Sequence, residues 1–450
     1  MLLTNTLTKK KEEFVPIDKK DVKLYACGVT PYDYSHIGHG RSYVFIDLLV
    51  RFLKFLDFNV TYIRNVTDID DKLLKKAEKA GDIMLYKKIA HEFTKLFQKE
   101  MKKLNCTEPD FEPKVTDNID SIIEFIKLLV EKKVAYVVDG TAGGSDVYFD
   151  VTKYKNYGEL SGKNLEDLQA GARVKVDERK KNPADFALWK GDKKFWDSPF
   201  GHGRPGWHIE CSVLAKKFLG EQIDIHCGGA DLVFPHHENE RAQSESLHEK
   251  TFVKYWVHNA LLNIDKKKMS KSLGNIFSLK EIFEKYDPMV LKFYFLQHQY
   301  RTPIEFSMSM LDSSKVAYKK LVKLFEGTKI DEKEKFTISS INPDEVVFVR
   351  TMIDALSDDL NTPKFLGILF ENVSQIKSDE KTVILVKKIL FHLLGLTLEE
   401  LEEEKIEITP EIEELIKKRD LARKEKNWTE ADKIRDQLKE LGYEVQDRKI

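Results

Sequence analysis

The chain has little cysteine, no long hydrophobic span and almost no net charge, and each shortage excludes something. Four cysteines in 450 residues (Cys27, Cys106, Cys211 and Cys227) are too few for a disulfide scaffold. In a reducing compartment a metal or a reactive thiol is the better use. No apolar run reaches the length that spans a bilayer. The first residues, Met1-Leu-Leu-Thr-Asn-Thr-Leu-Thr-Lys-Lys-Lys-Glu-Glu13, lack the charge-then-apolar order of a secretory signal. A cytoplasmic location with no membrane contact is therefore expected. The net charge of −1 does not announce a polyanionic partner. Any such contact must use local basic clusters such as Arg179-Lys-Lys181 or Lys266-Lys-Lys268. Internal repeats and low-complexity tracts are also missing. What remains is 42% hydrophobic and 33% charged residues, the balance of a globular protein, long enough for roughly three domains.

The most informative stretch is Pro31-Tyr-Asp-Tyr-Ser-His-Ile-Gly-His-Gly-Arg41. An apolar segment (Val22, Leu24, Tyr25, Ala26) precedes it, and a near-continuous apolar run follows from Val44 to Leu56. Strand, tight loop and helix N-terminus form a phosphate cradle, because unpaired N–H groups and the helix dipole both favour an anion. About two hundred residues downstream lies Lys268-Met-Ser-Lys-Ser272. Alone, a His-x-x-His is more often a metal pair or surface feature, and a lysine-rich loop is usually solvated. In this order and at this separation the two strings resemble the HIGH and KMSKS signatures of the class I aminoacyl-tRNA synthetases. The resemblance implies an α/β, Rossmann-like doubly wound parallel sheet with an insertion, followed by helical parts. It implies His36, His39, Lys268 and Lys271 as catalytic residues, with ATP and Mg2+ as cofactors. The chemistry suits these residues: a carboxylate attacks the α-phosphate of ATP, and the protein aligns two anions and neutralises the leaving pyrophosphate.

Composition and pattern divide the chain further. Residues 1–106 read as the first half of the catalytic fold, with a helix from Arg41 to Leu56 and a second strand from Asn59 to Asn65. Thr67-Asp-Ile-Asp-Asp71 closes that strand, where ligands bind in such sheets. An irregular stretch, 107–200, reads as an insertion. The second half, 201–265, carries a strand from Ile223 to His226 and a helix beginning near Pro235. Residues 266–326 read as the lysine loop and a bridging segment, and 327–398 as a helical bundle. Asn342-Pro343 and Thr362-Pro363 look like N-cap-then-proline starts, and Gly395 like a stop. The acidic run Glu399 to Glu404 opens a final segment, 399–450. There Thr409-Pro410 starts one helix, and Thr429 a second bearing Ile434, Leu438 and Leu441 on one face.

Cys27 immediately precedes the phosphate loop. Cys211 lies in Gly206-Trp-His-Ile-Glu-Cys211, and His236 and Glu240 lie in Phe234-Pro-His-His-Glu-Asn-Glu240 at a spacing that shares one helical face. Two thiolates, an imidazole and a carboxylate form a tetrahedral zinc set. Cys106 and Cys227 read as core, His237 and Glu238 as supports off the ligand face, and His208 and Glu210 as either structural or substrate-facing. Here the resemblance narrows to the cysteinyl-tRNA synthetase family, which shares these strings and Asp359-Leu-Asn-Thr-Pro363. It implies one zinc on Cys27, Cys211, His236 and Glu240, joined by the thiolate of an L-cysteine substrate. It also implies Gly28, Thr67 and Trp207 as amino-acid contacts and Gly229 and Asp231, in Gly228-Gly-Ala-Asp231, as nucleotide contacts beside His36, His39 and Lys271.

The same resemblance makes tRNA(Cys) the partner of the helical and C-terminal segments, in a monomer. The final helices carry Lys417, Lys418, Arg419, Arg423, Lys424 and Lys426 with Trp428 nearby, which suits phosphate contact and base stacking. A solvated amphipathic hairpin fits those residues equally well. The segment closes on Gln446-Asp-Arg-Lys-Ile450 without the glycine, threonine and tryptophan run of many relatives, so anticodon contacts from such a run are not expected. Two other functions share some of these features: a ligase joining cysteine to an amino sugar, and a silent zinc-dependent RNA binder. Residues 343–450 argue against the first, and the signature histidines and lysines against the second.

Overall fold

The computed structural model describes residues 1–140, 142–163, 177–264, 267–268, 277–341, 347–401 and 409–440. They fall into two compact units, Met1–Glu400 and Leu401–Ile450. The larger opens with an antiparallel hairpin, β1 (Leu2–Asn5) and β2 (Lys10–Glu13). Strand β3 (Asp21–Val29) then runs into helix α1 (Ile37–Phe55), and β4 (Asn59–Val66) returns parallel to β3. Both strands are apolar on successive residues, the pattern of a parallel strand covered on both faces. Helix α1 is buried over nearly its whole length for the same reason. It begins four residues before the expected Arg41, because His36 and His39 cap its first turn reciprocally.

Helices α2 (Asp71–Lys79), α3 (Tyr86–Lys103) and α4 (Ile119–Glu131) follow. Next comes a four-stranded antiparallel sheet of β5 (Ala135–Val138), β6 (Asp146–Phe149), β7 (Phe186–Trp196) and β8 (Gly203–Pro205). Helix α5 (Trp207–Leu219) leads into β9 (Ile223–Gly229), and α6 (Glu238–His248) into β10 (Val253–Asn259). Strand order β10-β9-β3-β4, all parallel, joins the two halves edge to edge at β3 and β9. That junction is the topological switch point, where the connections diverge and a crevice opens at the carboxyl ends of the strands. Along β3, Tyr25 and Cys27 share one core layer with Ile63 and with Ile209, Cys211 and Leu214 of α5. The period of two thus sends Cys27 toward Cys211.

Strands β11 (Leu262–Ile264), β12 (Lys267–Lys268) and β13 (Ile304–Phe306) form a small mixed sheet, interrupted in the chain by α7 (Leu279–Phe283) and α8 (Pro288–Leu296). Helices α9 (Met308–Leu324), α10 (Val347–Ser357), α11 (Thr362–Glu371), α12 (Val373–Lys377) and α13 (Glu380–Leu394) complete the unit. The cap of α11 is Asn361, not Thr362. Its side chain accepts from the Lys364 N–H at 3.0 Å and leaves Pro363 in the first turn, where a missing N–H costs nothing. Gly395 ends α13 at φ 65°, a left-handed position that suits glycine.

The smaller unit is a helical hairpin, α14 (Pro410–Lys424) and α15 (Trp428–Glu440), closed over Ile412, Ile434 and Leu438. Thr409 caps α14 as expected, but α15 starts at Trp428, with Asn427 accepting from the Glu430 N–H. Of the basic residues expected at a surface, Arg419 is buried, whereas Trp428 is 59% exposed. Asn342 and Pro343, Leu441 and the run from Gln446 to Ile450 lie outside the described residues.

Candidate active site and metal centre

Between Ala26 and Val29 the β3–β4 register shifts, so Cys27 and Gly28 leave the ladder at the head of the crevice. A Cβ on Gly28 would stand 1.5 Å from the carbonyl oxygen of Asn65, so only glycine lets the strands approach this closely. Cys27 Sγ lies 3.8 Å from Cys211 Sγ and 3.6 Å from Glu240 Oε1. His236 Nε2 lies 3.5 Å from Cys211 Sγ and 3.0 Å from Glu240 Oε1. The four donor atoms lie within 4.8 Å of one another, and all four residues are buried.

The charge state of this cluster fits a cation. Burial pushes the Cys211 thiol up to about 11 and the Cys27 thiol well above its ordinary value, and raises the Glu240 carboxyl. Burial, with His208 and His226 adding to it, holds His236 far below the usual imidazole range, in the neutral form that ligates metals. Two soft sulfurs, one imidazole and one carboxylate with no positive charge among them match a borderline divalent ion. A second grouping shares two of these donors: Cys27, His226, His237 and Glu240. His237 Nε2 is 3.2 Å from Cys27 Sγ, and His226 Nε2 is 2.8 Å from Glu240 Oε2. From His237 a chain continues through Nδ1 to His258 (2.7 Å) and from His258 to Thr6 Oγ1 (2.7 Å). His208 braces His236 through Nδ1 at 2.9 Å, and Trp207 stacks on the His236 ring at 4.2 Å between centroids.

Beside the cluster, Asn65 Oδ1 accepts the Gly28 N–H at 2.8 Å, and its amide donates to Thr67 Oγ1 at 3.1 Å. Thr67 in turn donates to Glu210 Oε2 at 2.8 Å. Burial raises the Glu210 carboxyl well above its ordinary value. At the mouth of α1 the His36 and His39 rings stack at 3.7 Å, each Nδ1 accepting the other residue's N–H at 3.3 and 3.2 Å. A nitrogen that accepts carries no proton, so each neutral ring would donate through Nε2. Gly229 closes β9, and a Cβ there would stand 2.6 Å from Asp231 Oδ1. The carboxylates after Thr67 have structural work: Asp68 accepts from Thr116, Asp70 caps α2, and Asp71 pairs with Lys190 and Arg204. Lys268 is described as backbone in β12, and Lys271 lies outside the described residues.

Residues 13–316 match the model of the tRNA synthetases class I (C) catalytic domain, and residues 406–449 that of the cysteinyl-tRNA ligase anticodon binding domain. A cysteine–tRNA ligase of Caldicellulosiruptor saccharolyticus is 44% identical over 99% of this chain and 98% of its own length. The chain belongs to the cysteinyl-tRNA ligase family of class I tRNA synthetases. Solved class I synthetases share the fold at much lower identity. Mycobacterium tuberculosis methionyl-tRNA synthetase with methionyl-adenylate has a TM-score of 0.58 at 14% identity, covering 83% of this chain and 89% of that one. The Agrobacterium radiobacter K84 LeuRS, in a ternary complex with tRNA and LeuAMS, has a TM-score of 0.61 at 11% identity over 84% of each chain. The Rossmann-like class I architecture is therefore the fold of this chain.

Within this synthetase His237, read from the sequence as a support for the ligands, places its Nε2 3.2 Å from Cys27 Sγ. It closes the wide turn Val233–His237, in which Phe234 leaves helical dihedrals at φ −137°, ψ 132°. His226, His258 and Asn65 are site residues that sequence reasoning passed over, since each sits in a strand that reads as core. Cys227 is core as expected, its thiol 3.6 Å from the Tyr25 carbonyl oxygen. Among the described residues no helix is long and apolar enough to cross a membrane.

Proposed function

We propose that this synthetase adenylates L-cysteine with ATP and passes it to the terminal adenosine of tRNA(Cys). The observation that carries this reading is the buried set Cys27, Cys211, His236 and Glu240, with Cys27 on the strand that runs into the His36–His39 turn. Those four residues would hold one zinc ion. Bound there, the ion supplies a Lewis-acidic centre to which a cysteine thiolate can bond and a serine hydroxyl or alanine methyl cannot.

The remaining chemistry belongs to the chain. Gly28 and Thr67 hold the amino end of the substrate, and Trp207 closes over its side chain. His36 and His39 donate from Nε2 to the α-phosphate and bridging oxygens at the positive end of α1. Gly229 allows close approach of the nucleotide, and Asp231 accepts from a ribose hydroxyl. Lys268 and Lys271 neutralise the pyrophosphate as it leaves, with Mg2+ accompanying the ATP. No covalent nucleophile is needed, since alignment and charge neutralisation supply the acceleration.

The reading assigns residues 1–106 and 201–265 to the catalytic halves and 107–200 to an insertion. It gives 266–326 to the lysine loop and bridge, 327–398 to a tRNA-binding bundle, and 399–450 to the anticodon end, in a cytoplasmic monomer. Cysteine-dependent exchange of pyrophosphate into ATP, followed by charging of a tRNA(Cys) transcript, tests it. Exchange without charging would point to a cysteine ligase for another acceptor, and no exchange would overturn the reading.

A further inference from the structure

One buried cation in this synthetase is held by main-chain carbonyls. Arg41, on the second turn of α1, is 3% exposed, and its guanidinium donates to three main-chain carbonyls. Nη1 reaches Leu261 at 2.7 Å, and Nη2 reaches Tyr300 at 3.2 Å and also Thr302. Leu261 immediately precedes β11, and Thr302 lies just before β13. The two strands pair in parallel from Leu262 opposite Ile304. Strand β12 lies against the other edge of β11, with Lys268 opposite Asn263. One guanidinium on the helix that opens with His36 and His39 therefore clamps the entrance to the strands that carry Lys268.

Two further contacts agree with a clamp. The Ile37 N–H donates to the Phe277 carbonyl (3.0 Å), and the Leu279 N–H to Ser35 (2.8 Å), so the chain after residue 276 is also paired to the mouth of α1. One helical turn beyond Arg41, Phe45 stacks on the Tyr300 ring at 4.4 Å. The Tyr300 hydroxyl donates to Asp359 at 2.7 Å, fixing from its far side the residue whose carbonyl Arg41 holds.

We infer that Arg41 is a positioning residue, which sets the backbone of Lys268 relative to His36 and His39. The inference rests on the adenylation reading above. A planar fork presents fixed donors from separate nitrogens, whereas a lysine ammonium offers its three donors from one point on a flexible stem and cannot span the same carbonyls in one geometry.

The test is Arg41→Lys in the metal-loaded full chain, followed by pyrophosphate exchange. The expected result is a kcat lowered about tenfold to a hundredfold, with KM for cysteine within about twofold and metal content unchanged. A wild-type kcat, or a raised KM for cysteine with kcat intact, overturns the inference. If circular dichroism shows that Arg41→Lys does not fold, Tyr300→Phe decides, since it removes the hydroxyl that bonds Asp359 and leaves the ring in place. A loss of about threefold or more in kcat alone supports the clamp, and wild-type kinetics overturns it. Wild-type protein without cysteine-dependent exchange would fail the functional reading instead, so the two failures are distinguishable.

Discussion

Asp47→Asn should destabilise the larger unit by about 3–4 kcal/mol at pH 7.5. The Asp47 and Lys292 side chains are 1% and 0% exposed and meet at 2.7 Å. Asp47 also accepts from Arg51 Nε at 2.8 Å and from the Thr107 N–H and hydroxyl at 2.7 Å each. Burial alone would raise its carboxyl, but Arg51 and Lys292 overcome that and hold it below the ordinary value. Asparagine keeps the shape and one oxygen, yet turns an amide donor toward the ammonium. Breaking a buried pair from one side costs about 3–5 kcal/mol, because the remaining charge is uncompensated. For about 400 cooperatively melting residues, the neutral-pH effect is a fall of roughly 4–5 °C in Tm. Scanning calorimetry at pH 7.5 measures it, and Asp47→Asn with Lys292→Met should recover most of the loss. A shift below about 1 °C would refute the reasoning. The wild type also loses stability in acid. A carboxyl held low stabilises the fold above the ordinary carboxylate value, and that stability is lost as pH falls through its folded value.

Two further outcomes concern the metal donors. Cys211→Ser should yield folded protein that has lost its zinc, by elemental analysis, together with cysteine-dependent exchange; full exchange in metal-free protein would sink the assignment. His226→Asn should keep one zinc per chain but bind it about 10–100-fold more weakly in a chelator competition, as for a residue that only orients a ligand. Loss of stoichiometric zinc in that variant would instead favour the set of Cys27, His226, His237 and Glu240.

The cluster of Cys27, Cys211, His236 and Glu240 was legible because each residue sits in a short string whose residue types have few other uses together. The parallel sheet was legible from β3 and α1, where apolar residues on successive positions leave no solvent face. Other features were not, each for a physical reason. His226 lies within the apolar run of β9, where a strand buried on both faces hides which side chain meets a polar partner. Thr6 and His258 are separated by the entire sheet in sequence and meet only because the Thr6 N–H pairs with the Trp256 carbonyl. Asn361 and Thr362 are both good caps, and local sequence gives no reason to choose between them.

Selection against serine follows from the same donors, and it is a matter of bonding more than of shape. Cysteine and serine are near-isosteres, and an apolar pocket separates such pairs by only about 10–200-fold. The pocket beside Cys27 is not apolar: Thr67, Asn65 and Glu210 hydrogen-bond one another there, and a serine hydroxyl could join them. Shape and hydrogen bonding would therefore tolerate serine, and rejection must come from the two-sulfur metal centre, where a thiolate is a far better ligand than a neutral hydroxyl. Serine-dependent pyrophosphate exchange in the zinc-loaded enzyme should then lie more than about 10⁴-fold below the cysteine value in kcat/KM, a gap of about 5.5 kcal/mol. A ratio within the 10–200-fold range of ordinary pockets would mean that the side chain is read by fit alone, and that the buried cluster holds the fold together without choosing the substrate.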